Sequence, residues 1–378
     1  MVKEEKFEDC IKKNLDKFYT YDLTVDVVSC LQSFFEFSYE KIFNNFYFDR
    51  FPKIKLKEED KFITPDFTVC FNEEYGIIFE VIRTTGKNRE AIEKTLSQLK
   101  EYDRDIYFKT NTDIVIPSTQ DIVLLVAQED ASQIILRLEK ILKEKNIIFD
   151  HNLIFVEYNL NIQDRKARYV FKQVLKSGDN FRDDELPQEA KLKRIGPDGE
   201  YDSIKCYPKY FLKIKAREVF CNDPPTPLYI ITYLWNKVFP HYLSEDQKGE
   251  WKKQNSSKIL LIELDVDSLS KKLYEDFIPN YKVRKEDVRR ALVFLEKADL
   301  AKNVNSDTFE INFRNINTLI RKKNDADNLE SVEDFKETAR IIAERFCKKA
   351  SKSDITIALD FKESSVDKQE TQKTLTKD

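Results

Sequence analysis

The chain has 378 residues, 41% hydrophobic and 35% charged, with 64 Lys and Arg against 68 Asp and Glu for a formal net charge of −4. Such a length suits two or three domains of about 100–200 residues each, and the near balance of charge argues against a chain that coats nucleic acid throughout while leaving room for a local basic groove. Only six glycines are present: no G-x-G-x-x-G exists for a dinucleotide, and Gly86-Lys87-Asn88 lacks both the upstream glycine and the Ser/Thr of a P-loop.

No run of about 18 apolar residues occurs, and the amino terminus is charged rather than signal-like. The expectation is a cytoplasmic protein with no membrane association. Six cysteines are scattered without a C-x-x-C pair, which fits reduced thiols rather than a disulfide framework or a zinc site. Two histidines, His151 and His241, lie on unrelated stretches. Histidine-based triads and metal clusters are thereby disfavoured, and catalysis would rest on carboxylates, lysine and a metal ion.

In chain order, residues 5–50 read as aromatic-rich helix, with Leu31, Phe34, Phe35, Tyr39 and Phe43 near helical spacing and Glu36 and Glu40 one turn apart. Strand-like residues 53–56 follow. Residues 67–71 and 77–82, joined by a tight turn at 72–76, read as a β-hairpin. A helix over 87–102 presents Ile92, Leu96 and Leu99. The apolar run 121–126 reads as a strand covered on both faces. A helix over 131–145 and a strand over 153–158 complete an α/β domain with a mixed sheet, ending near residue 175. Residues 176–204, polar and holding three of the six glycines, read as a linker.

The remaining chain has another rhythm. Thr226-Pro227 marks a helix start, and Leu228, Ile231, Leu234, Trp235 and Val238 share one face. A strand over 259–264, helices over 266–277 and 285–298, and a hairpin over 300–313 follow. Helix, strand, helix, helix, hairpin is the order of a winged helix-turn-helix, assigned to 205–320. A helix over 321–350 and a polar tail over 351–378, which reads as unstructured, end the chain.

Asp66, after Thr64-Pro65, opens one strand of the first hairpin, and Glu80 sits on the other. Two carboxylates on adjacent strands can converge on one hard cation such as Mg²⁺ or Mn²⁺. An acid within Ile-Ile-Phe-Glu-Val-Ile is costly to bury without a partner. On the following helix Gln98 and Tyr102 are four apart and share a face, with Lys94 one turn earlier. Each of these also has a plainer reading: Asp66 as a strand-start residue, Gln98 and Tyr102 as an ordinary helical pair, Lys94, Glu36 and Glu40 as solvated surface.

Together, Pro65-Asp66, Glu80 and Gln98-x-x-x-Tyr102 resemble the PD-(D/E)xK nuclease superfamily, in particular its RecB-like branch with a QxxxY helix, over roughly residues 30–160. The resemblance implies a restriction-endonuclease-like fold, with Asp66 and Glu80 binding one or two divalent metals. It also implies that Gln98 and Tyr102 orient DNA or site groups, and that Glu36 or Glu40 completes the site. The family's lysine, two residues after the second acid, is replaced here by Ile82, and period-two alternation turns Arg83 to the other face. Either the cation has moved to Lys94, or the domain binds without cutting.

Around the last helix of the winged-helix segment, Arg284, Lys285, Arg289, Arg290 and Lys302 suit a helix entering a DNA groove. A second basic run, Arg165, Lys166 and Arg168, flanks a DNA channel or forms a solvated helix face. The expected function is Mg²⁺- or Mn²⁺-dependent hydrolysis of DNA in restriction, defence or mobile-element biology, with a partner subunit or homodimer as a further expectation. The alternatives are a catalytically inactive DNA-binding or scaffolding protein, and a winged-helix regulator with a ligand-sensing α/β domain.

Overall fold

The structure is a computed structural model. It describes residues 2–39, 46–56, 61–71, 74–82, 89–163, 166–184, 186, 192, 203–204, 220–251, 259–279, 281–313 and 332–350. Helix α1 (Val2–Tyr39) is 38 residues long, about 57 Å at 1.5 Å per residue, and no glycine or proline interrupts its sequence.

Seven strands follow in one sheet: β1 (Phe46–Asp49), β2 (Phe67–Phe71), β3 (Tyr75–Val81), β4 (Thr119–Ala127), β5 (Asn152–Gln163), β6 (Lys166–Gly178) and β7 (Ser203–Ile204). Their spatial order is their chain order. β3, β4 and β5 are mutually parallel, and every other neighbouring pair is antiparallel. Parallel neighbours need crossovers, supplied by α2 (Arg89–Tyr102) and α3 (Gln128–Glu144). Both helices pack on one face, with Ile92, Leu96, Ile134 and Leu138 against Ile78, Ile122 and Leu124. On the opposite face Val27, Val28, Leu31 and Phe35 of α1 meet Val69, Phe79 and Val123. The α/β expectation with a mixed central sheet therefore holds.

The carboxy-terminal half begins with α4 (Pro227–Tyr233), whose cap Thr226 accepts the Tyr229 N–H, and runs on through a π-turn over Leu234–Val238. Short α5 (Glu245–Trp251), strand β8 (Leu260–Asp265), α6 (Val266–Lys272) and α7 (Lys285–Lys297) follow. The hairpin β9 (Ala301–Asn305) and β10 (Thr308–Phe313) makes a three-stranded sheet in the order β8-β10-β9. Helix α8 (Val332–Ala350) closes the core. Among the described residues no helix is long and apolar enough to cross a membrane.

Four expectations are corrected. The first half of α1, through Phe18, Tyr21 and Val25, belongs to the carboxy-terminal core: one long helix serves two cores. Within the expected linker, Phe181, Leu186 and Leu192 are buried in the sheet core and Ser203–Ile204 pairs with β6; apolar residues among the polar ones anchor it. The basic run at 165–168 leads not into a helix but into strand β6, where Tyr169 and Phe171 alternate inward. Finally, Cys10 and Cys347 are joined by a disulfide, because α1 and α8 pack together and bring two cysteines 337 positions apart to a Cα–Cα distance of 5.8 Å. Cys30, Cys70 and Cys221 are free and buried. Cys206 and the tail 351–378 lie outside the described residues.

Candidate active site

Strand β3 sits inside the sheet with both faces covered, so its apolar run needs no alternation. Period two still assigns the faces: Ile77, Phe79 and Val81 point to α1, while Ile78, Glu80 and Ile82 point to α2 and α3. Glu80 is thus directed at a helix whose polar stripe meets it. Gln98 Nε2 donates to Glu80 Oε1 at 3.0 Å, and the Tyr102 hydroxyl donates to Glu80 Oε2 at 3.0 Å. Gln98 Nε2 also donates to the Tyr102 oxygen at 2.6 Å, closing a triangle.

Each group needs this arrangement. Glu80 is 8% exposed, and a buried carboxylate is tolerated only when hydrogen-bonded. Burial, and after it the charge of Glu80, raises the Tyr102 phenol well above its ordinary range. Tyr102 therefore remains a protonated donor.

Asp66 lies just before β2, whose Phe67 stands opposite Phe79 with their rings stacked at 4.3 Å. Continuing that register by one residue sets Asp66 against Glu80. Asp66 N donates to Phe79 O at 3.1 Å, and Asp66 Oδ2 accepts from Val81 N at 2.7 Å. It is 3% exposed, and its charge also raises the Tyr102 phenol. Asp66, Glu80, Gln98 and Tyr102 thus form one cluster at the end of β3.

Two hard oxygen donors suit Mg²⁺, which is commonly bound by one or two carboxylates with water filling the remaining positions. Among the described residues no group of three or more His, Cys, Asp or Glu side chains is placed to hold a metal. Glu36 lies on the last turn of α1, the helix covering the other face of the sheet, and its side chain, like Glu40 and Arg83, lies outside the described residues.

Lys94 is exposed at the solvent end of the Gln98–Tyr102 stripe and makes no hydrogen bond or ion pair among the described residues. Ile82 is 5% exposed and packs into the α2–α3 core. The position two residues after Glu80 is therefore apolar in environment as well as in sequence.

The basic residues of the carboxy-terminal half are mostly paired. Arg284 Nε donates to Asp287 Oδ2 at 2.7 Å, and Arg290 Nη1 lies 3.6 Å from Asp287 Oδ1. Arg289 binds Asp307, and Lys285 Nζ lies 2.7 Å from Asp267 Oδ2. Lys302 is exposed on β9. Lys166 and Arg168 lie on β6 with side chains outside the described residues, as Arg165 lies entirely.

Two residues near the site gave no sequence signal. Arg50, 4% exposed, reaches the carbonyl of Phe220 at 2.8 Å, and Asn222 reaches the carbonyl of Pro65 at 2.7 Å. Each is a single polar residue in an irregular segment, without spacing or repetition to mark it.

Comparisons of the chain with known protein families, with characterised proteins and with solved structures found no match.

Proposed function

We propose that the chain is a metal-dependent DNA endonuclease of restriction, defence or mobile-element type, with Mg²⁺ or Mn²⁺ held by Asp66 and Glu80. The observation that carries this reading is the convergence of Asp66, Glu80, Gln98 and Tyr102 at the end of one hairpin. When bound there, a divalent ion supplies a lowered pKa for coordinated water and neutralises charge on the phosphate. The chain's own residues do the positioning. Gln98 and Tyr102 fix the Glu80 carboxylate from two sides, and Val81 N fixes Asp66. Burial keeps bulk water from screening the pair. Lys94, one helical turn before Gln98, is assigned to the phosphate.

The carboxy-terminal half is read as a winged helix whose α7 faces DNA. Arg289 and its partner Asp307 are 44% and 41% exposed, and such a surface pair contributes about 0–1 kcal/mol. A phosphate can replace the carboxylate at small cost.

A second reading, a nuclease-like fold that binds DNA or a partner without cutting it, is favoured by the buried apolar environment of Ile82. Nicking of supercoiled plasmid with Mg²⁺ or Mn²⁺ separates the two. The first reading expects nicking by wild type that EDTA abolishes and Asp66→Ala removes, with Lys94→Ala much slower. A wild type inert with both metals, yet retaining salt-dependent DNA binding, supports the second.

A further inference from the structure

The segment that opens the carboxy-terminal half is bonded to the backbone of the candidate site. Asn222 stands five residues before α4. Its Nδ2 donates to Pro65 O at 2.7 Å and to Pro52 O at 3.0 Å. An amide carries two N–H hydrogens, and each serves one of these carbonyls. Pro52 and Pro65 are both buried, so neither carbonyl has ready access to water as a substitute.

The residue after Pro65 is Asp66. The peptide unit joining them is therefore held at both polar atoms, its N–H by Phe79 O at 3.1 Å and its C=O by Asn222. The first restraint comes from the hairpin itself, the second from the other half of the molecule. The same segment is tied down around Asn222. Arg50 Nε donates to Phe220 O at 2.8 Å while its other nitrogens donate to Gln32 Oε1 at 2.8 Å and Ser29 Oγ at 2.9 Å on α1. The Tyr21 hydroxyl donates to Asp223 O and accepts from Cys221 N, both at 3.2 Å. Phe220 in turn packs its ring against Tyr229, Tyr233 and Tyr281 of the carboxy-terminal core, so residues 220–223 belong to that core and, through Asn222, bond the peptide that carries Asp66.

We propose that Asn222 is a positioning residue for Asp66, and that through it the carboxy-terminal half sets the divalent-metal affinity of the site. This rests on the metal-site reading above. Groups that orient metal ligands at one remove typically change affinity by about 10–100-fold when removed.

The test is Mn²⁺ titration calorimetry on the full chain, held well below the unfolding temperature. Asn222→Asp keeps the size of the side chain, removes both donors and sets a carboxylate against two carbonyls. It is expected to weaken Mn²⁺ binding by roughly 10-fold. Asn222→Ser keeps one donor and is expected to show a smaller but measurable loss; it decides the matter by itself should Asn222→Asp not fold. Asp66→Asn is the control and is expected to abolish the site. If Asp66→Asn abolishes binding while the folded Asn222 variants match wild type, the coupling is overturned and the metal site stands. If wild type binds no Mn²⁺, or Asp66→Asn binds as wild type does, the metal-site reading fails and takes this proposal with it.

Discussion

The Tyr102 hydroxyl, on α2, donates to Glu80 Oε2 on β3 at 3.0 Å, joining a helix to a strand 22 positions earlier. With Gln98, it helps to make a charge tolerable inside an apolar strand. Tyr102→Phe keeps the ring and removes that donor, while Gln98 still donates to Glu80 Oε1. A hydrogen bond to a charged group contributes about 1.5–3 kcal/mol, and a loss of that size is expected in urea unfolding. A midpoint equal to wild type would show that the bond does not hold Glu80.

Asp22 and Asp26, one turn apart on α1, are 2% and 4% exposed, and each keeps one carboxylate oxygen without a hydrogen-bond partner among the described residues. Lys336 of α8 stands 3.5 Å from Asp22 Oδ2, and Tyr169 of β6 donates to Asp26 Oδ2. Arg50 also acts on Asp26. Burial raises Asp22 to about 6, with Lys336 opposing it, and burial followed by the charge of Asp22 raises Asp26 well above the carboxylate range. The unfolded chain then releases these protons at lower pH than the folded one. Stability from Asp22 is fully present below about pH 4 and is lost as pH rises through about 6. Asp22→Asn is expected to gain on wild type by roughly 2–3 kcal/mol between pH 4 and pH 7.5. Parallel stability curves for the two proteins would contradict this.

The Cys10–Cys347 bridge ties the amino-terminal turns of α1 to α8. Closing so long a loop stabilises by up to about 6 kcal/mol in the chain-entropy model. Non-reducing digestion should yield a peptide pair containing Cys10 and Cys347, and Cys10→Ser should lower the melting temperature. A bridge absent from protein purified without reductant would refute the pairing.

Arg289 is bound to Asp307 in the turn of the β9–β10 hairpin, and the proposed DNA contact has it exchange that carboxylate for a phosphate. Arg289→Ala is expected to lower the slope of log affinity against log salt by about 1 in fluorescence anisotropy with duplex DNA. An unchanged slope would remove this residue from the DNA surface.

Much of the scaffold was legible because local pattern and tertiary environment agree. The apolar run 121–126 became the doubly covered β4, Thr226-Pro227 capped α4, and the spacing of Gln98 and Tyr102 delivered both donors to Glu80. Elsewhere the signal was masked. In β6, the inward Tyr169 and Phe171 follow a basic run that reads as solvated surface. Helix α1 turns one apolar stripe to the carboxy-terminal core and another to the sheet, so no single face identifies its partner. The Asn222–Pro65 and Cys10–Cys347 contacts join residues 157 and 337 positions apart. Only the packing of the two halves creates them.

The most direct test is single-turnover cleavage of labelled duplex DNA by wild type and Glu80→Gln at matched stability, with Mg²⁺ and then Mn²⁺. Glutamine preserves the size of the side chain and an acceptor for Tyr102 while removing the negative charge that a divalent cation requires. A hydrolytic Asp66–Glu80 site predicts metal-dependent cutting by wild type and a loss of at least about 100-fold in Glu80→Gln, some 2.7 kcal/mol in the barrier. Equal cutting by both proteins, or none by wild type with either metal, would contradict it.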